Sequence, residues 1–416
     1  MRRVVCAFVS LILMSSPAGA AQDNWLGAFG HAPTAYNLLP PSTVVAADGS
    51  SRTVPANFSP LPAYPAQTTV RQIVRLSAPA RAMRLRLSNE FSSKKLQIGE
   101  AHIALASENG EIVPGSDRVL TFAGQRAAAI PAGAPLLSDP VEWTAPALTK
   151  LAITVYYPSE TVPPAHTVFV LDAWAAPGNQ AAAQSLTGAA RARTGNHFSQ
   201  IDILSPTADA TVVCIGDSIT EGVGSTVGAF RGWADRLAER LQAQRSTRRW
   251  SAVNAGIGSN RLLHDTPSTS ALSRFDRDVL AVSGVSKVII ALGINDIQYS
   301  RRNPAEAVSA DEMIAALEQL IARAHAKDIN VIGATITAFE GSGSYSPEGE
   351  VMRVKVNEWI RNGGAFDGVI DFDRAIRDPL RPTQLLAAAD DGGHLHPSDA
   401  GYAMMGDAID LDLFAR

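Results

Sequence analysis

Thr211-Val-Val-Cys-Ile-Gly-Asp-Ser-Ile-Thr-Glu-Gly222 is the stretch on which the fold turns. A strand-length apolar run, 211–215, stops at a glycine, turns through Asp217 and Ser218, and continues into a polar segment that reads as the start of a helix. A serine just past a strand end, on a Gly-flanked turn, can present its hydroxyl at the mouth of a sheet, beside the backbone N–H groups of the following helix start. The loop is not the G-x-S-x-G elbow of α/β-hydrolases, because position 220 is Thr220, and it lacks the lysine of a phosphate-binding loop.

Working outward, further apolar runs occur at 251–255, 286–292, 329–336 and 367–370. Helical patterns separate them: Phe230, Trp233, Ala234, Leu237 and Leu241 form one stripe, and Met313, Ile314, Leu317, Leu320 and Ile321 another. Alternating strand and helix predict a parallel sheet with helices on both faces, and ligands bind beyond the carboxyl ends of such strands. The loops at those ends carry the polar chemistry. Asn254-Ala-Gly-Ile-Gly-Ser-Asn260 brings backbone N–H groups close to a ligand, and Gly293-Ile-Asn-Asp296 supplies an amide donor. His394-Leu-His-Pro-Ser-Asp-Ala-Gly-Tyr402 supplies an imidazole as general base. A nucleophile, neutral donors and a histidine at corresponding strand ends are the parts needed for acyl transfer.

Before residue 208 the pattern differs. Met83, Leu85 and Leu87 alternate with Arg84 and Arg86, and Leu151, Ile153, Val155 and Tyr157 repeat the alternation. Further strands are expected at 70–76, 96–106, 118–122 and 167–174, with a proline-rich extended stretch over 22–66 and a surface excursion over 177–196. Short strands with turns and no helical period predict a β-sandwich. The expected organisation is a signal peptide over 1–20, a β-sandwich domain over 21–207 and a domain with a parallel sheet between helices over 208–416. Arg2 and Arg3, an apolar run from Val4 to Met14, and Ala18-Gly-Ala20 give the first segment its export signature, so a periplasmic or secreted location is expected.

Composition narrows the partners. The 416 residues are 46% hydrophobic and 18% charged with a formal net charge of −4, which gives no footprint for nucleic acid and no polybasic run for a membrane surface. No run beyond the leader is long enough for stable membrane insertion. Only Cys214 remains once the leader is cleaved, so an intramolecular disulfide is excluded, and its apolar neighbours predict a buried structural thiol. His394 shares a face with His396 on an extended segment, yet no further ligand set accompanies them; no metal or cofactor is expected, and oligomeric state is left open.

The four strand-end loops resemble the blocks of the SGNH/GDSL hydrolase superfamily over 208–416. Gly216-Asp217-Ser218 matches the first block, 254–260 the second, Gly293-x-Asn295-Asp296 the third, and His396-Pro397 with Gly401-Tyr402 the last. The resemblance implies a flavodoxin-like α/β/α sandwich with a five-stranded parallel sheet and ester hydrolysis by Ser218 and His396. It also implies an oxyanion hole from Ser218, Ser259 and Asn295, with Ser259 standing where the family has glycine. The N-terminal part, including Arg84-Leu-Arg-Leu-Ser-Asn89, is similar to the β-sandwich that precedes the catalytic domain in a bacterial branch.

The family's triad acid lies three residues before the histidine, where this chain has Gly393. The alternatives are that Asp391 or Asp390 orients His396, that a backbone carbonyl does so, or that the site is weak or repurposed. Asn260 and Arg261 are candidate substrate contacts. Asp217 and Asp296 look like a carboxylate pair for glycoside hydrolysis, but the resemblance makes Asp217 loop-structuring and the order of the blocks favours acyl transfer. The expected substrate is a small-molecule or glycan ester, carrying a short acyl group on carbohydrate. The alternatives are a lipid-directed esterase or lysophospholipase, a glycan-active enzyme, and a glycan-binding protein on the same scaffold.

Overall fold

The structure, a computed structural model, describes residues 24–35, 42–45, 51–54, 63–163 and 170–415. The expected leader lies outside the described residues.

The C-terminal part is built on a five-stranded parallel sheet. Its strands are β1 (Ala210–Gly216), β2 (Trp250–Gly256), β3 (Val285–Ala291), β4 (Asn330–Ala334) and β5 (Gly368–Ile370), in the order β2-β1-β3-β4-β5. This is the flavodoxin-like arrangement, in which the chain reverses direction across the sheet between β1 and β3 and leaves a crevice at their carboxyl ends. Every residue of β1 is buried, because helices cover both faces of a central parallel strand. The helices that matter to the site are α1 (Ser218–Glu221), α2 (Trp233–Ala243), α3 (Ile294–Arg302), α4 (Ala310–His325), α5 (Pro347–Asn362) and α6 (Asp399–Asp407). Leu237 and Leu241 of α2, and Met313, Leu317 and Leu320 of α4, are buried against the sheet as their spacing predicts. Cys214 is fully buried within β1, and burial pushes its thiol pKa far up.

The N-terminal part packs two antiparallel sheets around a separate apolar core. One sheet orders strands Leu26–Gly30, Phe198–Leu204, Ala80–Ser88 and Pro135–Leu137, with Val141–Ala145 also on Ala80–Ser88. The other orders Ala190–Arg191, Ala173–Pro177, Thr68–Arg75, Lys150–Tyr157, Glu100–Leu105 and Arg118–Leu120.

Three expectations need correction here. The strand expected at 167–174 lies instead at Ala173–Pro177, with 164–169 outside the described residues. The stretch read as extended chain contains the strand Leu26–Gly30, which also lies against the parallel sheet: Gly27 N donates to Ser283 O, and a side chain at Gly30 would meet Val253 and Asn254 O. Phe230 does not begin the helical stripe; α2 starts at Trp233, and Phe230 adopts φ +56° outside it.

Candidate active site

The end of β1 delivers Ser218 because Asp217 caps α1, its carboxylate accepting the Ile219 N–H at 2.9 Å. Gly216 is required by crowding, since a Cβ there would lie 2.8 Å from Ala291 O of β3 and closer still to Thr220. Ser218 therefore stands at the first position of a short helix, at the switch point of the sheet, with its backbone N–H outside the helical ladder.

His396 arrives from the segment before α6. Its Nε2 lies 2.9 Å from Ser218 Oγ, although 178 residues separate the two in sequence. With the ring proton on Nδ1, the serine hydroxyl donates to Nε2, the geometry a general base requires. Burial lowers the His396 pKa below the ordinary imidazole value, and the charges of Asp391 and then Glu221 pull it back up.

The two carboxylates expected near His396 separate cleanly. Asp390 turns away: it accepts the N–H groups of Gly392 and His394, each at 2.9 Å, and its Oδ2 lies 2.5 Å from His394 Nδ1. Asp391 lies beside His396 against Gly224, its Oδ1 accepting the Gly393 N–H at 2.7 Å while its charge acts on the imidazole. Among the described residues no hydrogen bond reaches Nδ1 of His396. Asp391 thus acts on the ring through space.

Ser259 adopts φ +61°, the left-handed region in which glycine has no Cβ penalty. Asn295 sits on α3 at the end of β3, and one of its amide N–H groups donates to Asn260 O at 3.1 Å. That bond fixes the amide and leaves its second N–H as a donor. Asn254 ties the loops together, donating to Thr220 O at 2.7 Å and accepting from Gly256 N at 2.9 Å.

The side chains proposed as substrate contacts are not at the surface. Asn260 is fully buried: it donates to Ser268 Oγ and Thr269 O and accepts two N–H groups of Arg274. Arg261 is 1% exposed, packed over Tyr299 and paired with Glu306 Oε2 at 2.5 Å. Asn260 is thus spent on building the loop. Asp217 and Asp296 are likewise buried, and Asp296 accepts the Leu262 N–H with both oxygens. Burial raises Asp217 to about 7 and Asp296 to about 6, against the backbone donors that favour ionisation. Neither carboxylate is available to a glycosidic bond.

Arg274 escaped the sequence reading. Buried on a short helix, it donates to Gly216 O at 2.9 Å and Ala255 O at 2.7 Å, joining the ends of β1 and β2, and it holds Asn260. Asp278, at 3.1 Å, compensates its charge. Two of its four partners are backbone carbonyls, which leave no trace in residue type.

Residues 214–404 match the GDSL-like lipase/acylhydrolase family model. The match covers most of the parallel-sheet part of the chain. Among solved structures, this part is similar to an acetylxylan esterase from Geobacillus stearothermophilus: 25% identity over 48% of this chain and 92% of that one, TM-score 0.38. It is also similar to an alpha/beta hydrolase enzyme from the metagenome of Lake Arreo, Spain: 23% identity over 49% and 94%, TM-score 0.38. No curated protein matches the chain. Among the described residues, no helix is long and apolar enough to cross a membrane, and no group of three or more His, Cys, Asp or Glu is placed to hold a metal ion.

Proposed function

We propose that the protein hydrolyses carboxylic esters by a serine mechanism, acting outside the cytoplasm after loss of residues 1–20. The observation that carries this reading is the 2.9 Å approach of Ser218 Oγ to His396 Nε2 at the β1/β3 switch point. Ser218 Oγ attacks the ester carbonyl carbon while its proton passes to His396 Nε2. The backbone N–H groups of Ser218 and Ser259 and the Asn295 amide receive the oxyanion. Collapse expels the alcohol, which takes the proton from His396. Water, deprotonated by the same imidazole, then releases the acid and restores Ser218.

The substrate we favour is a short acyl group, such as acetyl, on carbohydrate. Polar groups on the loop that bears His396, namely the exposed Asp391 and the half-exposed His394, support it by suiting a hydroxyl-rich leaving group better than an apolar one.

The test assays the mature chain, Ser218→Ala and His396→Ala on p-nitrophenyl acetate and acetylated xylan, with an ester series from acetyl to decanoyl. Loss of turnover in both variants and a preference for acetyl are expected. Undiminished turnover in Ser218→Ala would contradict the serine mechanism; a preference for decanoyl would favour lipolysis.

A further inference from the structure

The loop 222–232, between the nucleophile helix α1 and α2, meets three parts of the molecule in turn. At its start it lies on the loop that bears His396. A Cβ at Gly224 would stand 3.1 Å from His396 Cβ, 3.0 Å from Asp391 Oδ2 and 2.7 Å from Pro397 O. Tyr402 Oη donates to Val223 O at 2.6 Å, and the Thr226 N–H and hydroxyl both reach the Asp399 carboxylate at 2.7 Å.

At its far end the same loop enters the β-sandwich. Phe230 is 6% exposed and joins a small apolar cluster whose other buried members, Ile73, Ala104, Ile112 and Ala152, all belong to the sandwich. Two cations flank its ring, with Arg75 Cζ 5.3 Å and Lys150 Nζ 5.1 Å from the centroid. Gly228 N donates to Val170 O at 2.8 Å, and Lys150 Nζ donates to Gly228 O at 3.2 Å. Arg75 also pairs with Glu239 at 2.8 Å and Asp235 at 3.2 Å on α2. Phe230 holds φ +56°, unfavourable for an aromatic residue, so the surrounding contacts must dictate that conformation.

We infer that Phe230 is a positioning residue through which the β-sandwich holds His396 and Asp391 in register with Ser218. The inference rests on the Ser218–His396 reading and gives the appended domain a role in the chemistry: it fixes one end of a loop whose other end forms the wall behind the imidazole. Misplacing a general base by about 1 Å costs up to about a hundredfold in rate. Freeing the loop should therefore reduce kcat far more than it raises KM.

The test compares the full mature chain with Phe230→Ala, Phe230→Leu and Lys150→Met on p-nitrophenyl acetate, with circular dichroism and thermal midpoint in parallel. Lys150 is exposed, so its replacement removes the Gly228 O bond and one cation without touching the core. Phe230→Ala is expected to lower kcat at least about tenfold with KM within about twofold, Phe230→Leu to recover most of it, and Lys150→Met to lower kcat about threefold. In Phe230→Ala, water reaching the imidazole should move the acid limb of the kcat/KM profile to higher pH; Asp391 and Glu221 are the charged groups that face it. Wild-type kcat and an unmoved acid limb in the folded variants would overturn the inference, as would a rise in KM alone. If Phe230→Ala does not fold, Phe230→Leu and Lys150→Met decide by the same criteria. Ser218→Ala separates the two claims: if it retains full turnover, the serine mechanism fails, whereas its loss beside unaltered Phe230 and Lys150 variants defeats only the brace.

Discussion

His394 Nδ1 lies 2.5 Å from Asp390 Oδ2, and this pair removes from the His396 imidazole one of the two carboxylates expected to orient it. Asp391 is left to act on His396 across space. Asp390→Ala and His394→Ala are therefore expected to keep kcat within a few-fold of the parent, whereas Asp391→Ala lowers it about ten- to a hundredfold. The sign of the pH effect is a second check. The Asp391 charge raises the His396 pKa, so its removal shifts the acid limb of kcat/KM to lower pH. A pH–rate series on the three variants measures both; equal losses in Asp390→Ala and Asp391→Ala would refute the assignment.

Ser259 occupies left-handed backbone with φ +61°. Its proposed contribution is a backbone N–H, which glycine supplies equally well. Ser259→Gly should raise stability by about 1 kcal/mol while leaving kcat within about twofold. Denaturant unfolding and steady-state rates test this, and a large loss of rate would mean that the Ser259 hydroxyl takes part.

Asn295 holds one N–H on Asn260 O and has a second to offer. Asn295→Ala is expected to lower kcat by roughly 10²–10³-fold with little change in KM, the pattern of a donor used chiefly in the transition state. A KM effect alone would instead make Asn295 a ground-state contact.

Asp217 and Asp296 hold their protons up to about 7 and about 6 because burial disfavours the charge. Their ordinary value is 3.8, so between about pH 4 and 7 the folded chain retains protons that the unfolded chain has released. This contribution to stability is complete below about pH 4 and is lost as pH rises through 7. Asp217→Asn removes one such group. Its thermal midpoint, set against the parent from pH 4 to 8, should gain on the parent as pH rises, and the opposite trend would show that Asp217 is held ionised.

Much of this was readable before folding, for identifiable reasons. β1 and β3 are covered on both faces and so read as continuous apolar runs, and Ser218, Asn295 and His396 follow such runs in loops of distinctive composition. A polar residue beside a reactive loop looks the same in sequence whether it meets substrate or turns inward; Asn260 and Arg261 turn inward toward Arg274 and Glu306, both distant in sequence. Phe230 has helical spacing to Trp233, but tertiary packing draws it into the sandwich instead. The strand Leu26–Gly30 was hidden by its glycines, whose small size is what allows close approach to Val253.

The central claim is that Ser218 is the nucleophile activated by His396. Its most direct test is peptide mapping by mass spectrometry after the mature chain is treated with a fluorophosphonate, which forms a stable phosphonate ester with an activated serine. The account predicts one adduct, on the peptide containing Ser218, absent in Ser218→Ala and formed much more slowly in His396→Ala. An unmodified Ser218 peptide, or equal labelling of Ser218 in His396→Ala, would contradict it.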